Sequence, residues 1–168
     1  MLSWQYYPKS DSTPEHLISL IEIFRLHESV IKSPENKLSS NQVLSILYKD
    51  LLNLKFDVEK SKSAENKLKV PVLFGKNGRL EKYFEADSFH KETGTILEVE
   101  AGRGVTNYQF LKDLFQACMM HSIYYLVIAV RNKYRSSPDF DKVVAFFDTL
   151  YVSGRLRLPL KGILIIGY

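Results

Sequence analysis

Cysteine is almost absent from this sequence of 168 residues, and its scarcity excludes two kinds of site. Cys118 is the only cysteine, so the chain can form neither an intramolecular disulfide nor a cysteine-rich zinc site. It lies in a helical pattern of apolar residues, where a buried structural thiol is more expected than a nucleophile.

Long hydrophobic runs are also missing. The longest, IYYLVIAV (123–130) and GILIIGY (162–168), are too short to cross a bilayer as helices. The first ten residues, MLSWQYYPKS, lack the basic region and apolar stretch of a secretory signal. We therefore expect a soluble, cytoplasmic protein with no membrane partner.

Basic residues outnumber acidic ones only slightly, since the formal net charge is +4. From Arg103 onward, however, there are nine basic residues against four acidic ones. A solvated basic surface and a phosphate-binding face both fit this distribution. For Arg131, Lys133 and Arg135, which follow an apolar run, we expect a solvated loop, with a nucleic-acid contact as the alternative.

The hydrophobic fraction of 45% and the charged fraction of 25% predict a single globular domain over 1–168. Apolar periodicity predicts the order helix, helix, four strands, helix, strand, helix, strand. The helices are expected to begin after a cap at Ser12 or Thr13, near Ser40, after a cap at Thr106, and near Pro138. A strand–helix–strand succession favours a parallel pair, so we predict an α/β fold with a mixed sheet flanked by helices.

Two carboxylates stand close together in the stretch GTILEVEAGRG (94–104). Glu98 and Glu100 share one face of a predicted strand, because side chains alternate along a strand. Asp87 ends the preceding strand, and an antiparallel return would place it opposite Glu98. Such carboxylates repel unless one is protonated or a cation lies between them, and Mg²⁺ prefers oxygen ligands.

Two other interpretations of these acids stay open. Glu98 and Glu100 could line a solvent-facing strand edge, with ion pairs to Lys82, and Asp87 could stabilise a turn. After the acids, the glycines of AGRG allow a sharp turn, and Arg103 between them could contact a phosphate or pair with the nearby glutamates.

Asp87, ten intervening residues and Glu98-Val99-Glu100, set on a hairpin and a strand before a helix and a strand, resemble the motif of the PD-(D/E)XK nuclease superfamily. The resemblance covers 40–130 and implies a restriction endonuclease-like, three-layer fold with an α–β–β–β–α–β core. It leaves 1–39 as an N-terminal helix and loop, and 131–168 as a C-terminal helix and strand. Asp87 and Glu98 would bind Mg²⁺, for which Mn²⁺ could substitute.

Glu100 occupies the position where most members of the superfamily have lysine. Type II restriction endonucleases of the BamHI and BglII type also depart from lysine there. The resemblance implies that Glu100 orients or deprotonates the attacking water, or joins the metal shell. An additional acid would come from the first core helix, where both Glu28 and Asp50 are candidates.

The resemblance also implies the DNA-contacting residues. Those just after the motif strand approach the DNA in this subgroup, and here they are Thr106, Asn107 and Gln109, with Lys112 one turn further on. The implied function is a magnesium-dependent endodeoxyribonuclease of a restriction-modification type, acting as a homodimer on DNA. The alternatives are a non-catalytic nucleic-acid-binding or protein-interaction module on the same fold, or a subunit of a larger defence or repair complex.

Overall fold

A computed structural model describes residues 1–59, 67–102 and 105–168. Eight strands occur there: β1 Ser3–Tyr7, β2 Asp57–Val58, β3 Leu68–Phe74, β4 Leu80–Ala86, β5 Ser88–His90, β6 Thr95–Glu100, β7 Tyr125–Val130 and β8 Gly162–Gly167. Five α-helices accompany them: α1 Glu15–Leu26, α2 Glu28–Ile31, α3 Ser40–Asn53, α4 Gln109–Met119 and α5 Asp139–Ser153.

Six of the strands form one mixed sheet in the order β1-β8-β7-β6-β5-β2. The three central strands β6, β7 and β8 run parallel, whereas β1, β5 and β2 are each antiparallel to their neighbours. The parallel pair β6–β7 is joined through α4, as the strand–helix–strand pattern predicts. The prediction of a mixed α/β fold is therefore confirmed.

Both faces of this sheet are covered by apolar side chains. Along β7, Val127 and Ala129 join a core shared with α1 and α3, while Leu126 and Ile128 join a core shared with α4 and α5. Full burial of a valine, leucine or isoleucine side chain such as Val127, Leu126 or Ile128 stabilises the fold by about 1.5–3 kcal/mol. The continuous apolar run of this strand is thus explained by helices on both of its faces.

Only some of the helix starts predicted from the sequence agree with the structure. Before α3, Ser39 and Gln42 form a reciprocal capping box, so the predicted start near Ser40 is confirmed. The helix α1 begins directly after Pro14 without a side-chain cap. The prediction that Thr106 caps α4 is wrong, since this helix begins at Gln109 after a left-handed Tyr108.

Two strand predictions need correction. The segment 1–39 is not only helix and loop, because β1 pairs with β8 at the edge of the main sheet. The hairpin predicted around Asn77 and Gly78 is present, and both residues have positive φ. Its strands β3 and β4, however, form a separate two-stranded sheet, and the chain bends at Asp87 before entering β5.

Among the described residues, no helix combines the length and the apolar character that crossing a bilayer would need.

Candidate functional site

The two glutamates of β6 lie beyond the point where the pairing with β5 ends. β7 pairs with the whole length of β6, whereas β5 pairs with Thr95, Ile96 and Leu97. Glu98 and Glu100 are half-buried, so the interpretation of a solvent-facing strand edge holds only for the missing strand partner on that side and not for their exposure. Leu97 and Val99 are buried in the core that includes α1 and α3. Glu98 and Glu100 therefore extend from the opposite face, toward α4, and both keep part of their surface open.

Asp87 reaches Glu98 through the antiparallel register of β5 and β6. Ser88 pairs with Leu97, so the residue before Ser88 lies beside Glu98. Asp87 Oδ2 also accepts a hydrogen bond of 2.9 Å from the Val99 backbone N–H. One carboxylate oxygen thus fixes Asp87 to β6, which places its charge against the two glutamates.

A fourth carboxylate comes from α4, on which Gln109, Lys112, Asp113 and Gln116 face the same space. Their spacing of three, four and seven residues puts them on one side of a helix. Asp113 is only 4% exposed, and Phe110 and Leu114 on the same helix belong to the core. It is not among the residues that the sequence motif indicates; a polar stripe on an otherwise apolar helix is the signal that could have found it.

These side chains line what we call the acidic cleft, a space of about 180 Å³ at the end of β6. Its walls carry six carboxylates and two lysines: Glu59, Glu85, Asp87, Glu98, Glu100, Asp113, Lys67 and Lys112. Lys67 pairs with Glu59 at 3.1 Å and with Glu85 at 3.4 Å. Apart from these three residues, the cleft holds four carboxylates and one lysine, Lys112. The cleft is therefore strongly negative when the four carboxylates ionise.

Burial and mutual repulsion raise the pKa of these four acids. Desolvation raises the pKa of Asp87 to about 6, against the opposing effect of the Val99 N–H. Desolvation and then the nearby charges of Asp87 and Asp113 raise the pKa of Glu98 well above its ordinary value. Each acid therefore holds its proton more tightly than it does in water, unless a cation replaces that proton.

Glu100 and Asp113 both line the acidic cleft, and the charge of Asp113 acts on Glu100. Burial, followed by that charge, raises the pKa of Glu100 to about 8. Burial also raises the pKa of Asp113, while the Lys112 ammonium acts in the opposite direction. Asp113 Oδ2 finds no hydrogen-bond donor in the part of the chain that the structure describes.

The donor chemistry of the acidic cleft suits a hard divalent cation. Every acid offers oxygen atoms, and Mg²⁺ is typically held by one or two carboxylates with waters and substrate phosphates. Within residues 1–59, 67–102 and 105–168, no three His, Cys, Asp or Glu side chains are already gathered as metal ligands. A divalent cation would nevertheless give the unpartnered Asp113 oxygen a ligand bond and would reduce the repulsion among the acids.

The two helical acids considered as additional ligands lie elsewhere. Glu28 accepts a hydrogen bond of 2.8 Å from the Leu2 N–H, and Asp50 is 2.7 Å from His27 Nε2. The structure brings neither to the acidic cleft, where Glu59, Glu85 and Asp113 are the acids that accompany the motif.

The predicted DNA-contacting residues divide between two places. Gln109 and Lys112 line the acidic cleft. Thr106 and Asn107 are exposed and line a separate pocket of about 430 Å³, together with part of the loop after β7. Arg103 lies outside the described residues.

Comparison of the sequence with protein-family models gives no match, and comparison with curated protein sequences gives none either. The acidic cleft itself therefore carries the functional argument.

Proposed function

We propose that the protein is a magnesium-dependent endodeoxyribonuclease of the restriction endonuclease-like, PD-(D/E)XK type. The observation that supports this best is the convergence of four desolvated carboxylates, Asp87, Glu98, Glu100 and Asp113, in one cleft. A protein core rarely holds so many acids together, and sites with strongly shifted pKa values are often functional. The element order over 40–130, with a parallel β6–β7 pair joined by α4, supports the same fold proposal.

Asp87 and Glu98 are the residues that we assign to Mg²⁺, with Mn²⁺ as a substitute. Both face the cleft, and their repulsion falls when a cation lies between them. The metal would polarise a phosphate oxygen and lower the pKa of a bound water. DNA carries the phosphodiester bonds and the anionic charge that such a metal recognises, and its choice over RNA follows the resemblance to restriction endonucleases.

Glu100 and Lys112 complete the chemistry in this proposal. Glu100 has a raised pKa, so its ionised form is a base strong enough to accept a proton from the attacking water. Asp113 favours the protonated form of Glu100 through its nearby charge. Lys112 lies in the same cleft, and its ammonium group is suited to a phosphate oxygen. Most of the superfamily has its lysine on the strand, at the position of Glu100.

The experiment is incubation of plasmid and of single-stranded DNA with Mg²⁺ or Mn²⁺, with wild type beside Glu98→Gln. We expect wild type to cleave and Glu98→Gln to lose activity by on the order of a thousandfold, as when a catalytic group is removed. The matched control is Glu92→Gln, which removes one exposed carboxylate paired with Lys55 and should cleave normally. Absence of cleavage by wild type in every condition would overturn the proposal.

A homodimer is part of the proposal, because one such cleft cuts one strand and both strands must be cut for a double-strand break. Sedimentation of the protein on a duplex and on a single strand tests this directly. Two copies of the protein are expected to bind the duplex. If one copy binds the duplex and one copy binds the single strand, the activity would be nicking of one strand.

One observation favours the alternative of a non-catalytic nucleic-acid-binding module. The raised pKa of Glu100 allows a proton to relieve its repulsion with Asp113, so part of the charge of the cleft can be neutralised without a metal. Calorimetric titration with Mg²⁺ separates the two functions. No heat of binding, together with metal-independent retention of DNA, would select the module.

A further inference from the structure

A second pocket opens beside the acidic cleft and carries the opposite charge. We call it the Arg131 pocket; its volume is about 690 Å³. Its cationic side chains come from two segments of the chain: Lys37, Arg131, Lys133 and Arg135. None of its lining residues is acidic, and none of the four cations pairs with a carboxylate in the described part of the chain.

Arg131 is the most unusual of these side chains because it is only 9% exposed. Its Nη2 donates to the Leu38 carbonyl, and its guanidinium carbon lies 5.4 Å from the centre of the Tyr134 ring. Its Nε finds no hydrogen-bond acceptor among the described residues. A buried charged donor without an acceptor is costly, so its presence in a pocket wall indicates an anionic ligand.

The loop that carries these cations is held in place by hydrogen bonds. The expectation of a solvated loop agrees with the exposure of Lys133 and Arg135 but not with the burial of Arg131. The Asn132 N–H donates to the Tyr168 carbonyl at 2.7 Å, and the Lys133 N–H donates to Ser33 Oγ at 3.3 Å. Tyr134 and Ser137 exchange two backbone hydrogen bonds of 2.9 Å. Lys133 and Arg135 are therefore exposed side chains on an ordered backbone, which lowers the entropic cost of binding a ligand.

The Arg131 pocket begins where the acidic cleft ends. In the parallel register Glu100 pairs with Val130, and the next residue of each strand, Ala101 and Arg131, lines the pocket. The start of α3 forms the other border, since Ser40 lines the cleft and Ser39 lines the pocket. A ligand longer than one phosphate group could therefore reach both.

We propose that the Arg131 pocket binds a phosphate group of the same nucleic-acid strand that enters the acidic cleft. The guanidinium fork of arginine matches the oxygens of a phosphate, and two exposed cations beside it add long-range attraction. Tyr134 and Arg135 also line the pocket of Thr106 and Asn107, so the basic surface continues along the path predicted for DNA. The choice of nucleic acid rests on the proposed function, whereas the phosphate chemistry rests on the pocket alone.

The test is fluorescence anisotropy with labelled single-stranded and duplex DNA in EDTA, repeated over a series of salt concentrations. The pocket variant is Lys133→Gln/Arg135→Gln, and the control is Arg155→Gln/Arg157→Gln. Both pairs are exposed, and both variants reduce the net charge of +4 by two. The control pair follows α5, and so lies toward the opposite end of the parallel strands.

We expect the pocket variant to bind single-stranded DNA about tenfold more weakly or worse. The slope of log K against log salt should become shallower by about 1.4, or roughly 0.7 per lost contact. The control should change affinity by less than about twofold. Equal losses in both variants, or no binding by wild type to either DNA, would overturn the proposal.

Further arms separate this proposal from neighbouring ones. Glu92→Gln, which changes an exposed acid outside both pockets, should bind DNA in EDTA as wild type does. Binding in EDTA needs no metal, so the pocket assignment can hold even if no cleavage is found. Inorganic phosphate is the small-anion arm: thermal stabilisation by phosphate without retention of DNA would overturn the assignment to nucleic acid. Arg131→Lys keeps the charge but not the fork, and circular dichroism verifies that each variant is folded.

Discussion

The acidic cleft and the Arg131 pocket begin at the same end of β6 and β7 but are built in different ways. The cleft gathers its acids from β4, β6, α4, the bend at Asp87 and the residue after β2, so it exists only when these elements are packed. The pocket takes three of its four cations from the single loop after β7. The acids are therefore brought together from several elements, whereas three cations share one loop that is held by hydrogen bonds to Ser33, Leu38 and Tyr168.

The largest expected effect comes from Gly102, which joins the two regions. Its φ is +105°, and a Cβ at this position would collide with the Tyr134 ring. Gly102→Ala should lower the free energy of unfolding by about 3 kcal/mol, because it combines backbone strain with overpacking. Chemical denaturation measures this loss, and DNA binding by the folded fraction should fall as well.

Gly154→Ala is the matched control for that substitution. Gly154 also has a positive φ, of +59°, but nothing lies within 4 Å of an added Cβ. The cost should then be about 1 kcal/mol, from the left-handed backbone alone. Equal losses in the two variants would show that Tyr134 does not pack against Gly102 as described.

A smaller effect is expected in the pH dependence of the free energy of unfolding, which should differ between variants of the cleft and variants of the pocket. The folded protein raises the pKa of Asp87 from 3.8 to about 6, so it binds this proton more tightly than the unfolded chain does. That contribution to stability is present below about pH 4 and is lost as the pH rises through about 6. Asp87→Asn, which stays neutral, should therefore raise the free energy of unfolding by about 2 kcal/mol near pH 8 in EDTA.

The measurement is urea denaturation of both proteins across this pH range. Their curves should converge near pH 4, where Asp87 is protonated in both states of wild type. Lys133→Gln is the comparison from the pocket, and its stability should follow the pH dependence of wild type. A gain for Asp87→Asn that is the same at every pH would contradict the role of ionisation.

Magnesium should stabilise only a protein with an intact cleft. At a free concentration about ten times the dissociation constant, a cation bound only to the folded state adds about 1.4 kcal/mol. Thermal melting should show this gain for wild type and for Lys133→Gln, but not for Glu98→Gln. If Mg²⁺ also stabilised Glu98→Gln, the cation would have to bind outside the acidic cleft.

The smallest effect is expected where neither region is touched. Glu92 and Lys55 form an ion pair of 3.1 Å with exposed fractions of 67% and 70%. Glu92→Gln should change the free energy of unfolding by less than about 0.5 kcal/mol, as for other exposed ion pairs. A thermal melt with and without Mg²⁺ checks this baseline, and a loss of the magnesium effect in this variant would undermine the comparison.

The sequence predicts the features that depend on local periodicity. Alternation along a strand is enough to place Glu98 and Glu100 on one face, and a ten-residue return is enough to bring Asp87 near them. The turn residues Asn77 and Gly78 likewise predict the hairpin, because both tolerate positive φ. The metal, the nuclease activity and the DNA partner stay predictions.

Features set by packing between distant segments are not predictable in this way. Asp113 enters the cleft only because α4 packs on β6, and its helix reads as an ordinary amphipathic helix. The burial of Arg131 depends on the loop before α3, which supplies the Leu38 carbonyl. β1 has a weak pattern of its own, and it becomes a strand by pairing with β8.

That last pairing has a consequence for how the chain folds. β1 is the first of the described strands to be synthesised, but its partner β8 is the last, with Ser3 opposite Gly167. Contacts between such distant residues form slowly, because a long loop must close first. Without β1, β8 would present one unpaired edge with free backbone groups, which can pair with another chain. We therefore expect the pairing of residues 3–7 with β8 to remove that edge late in folding.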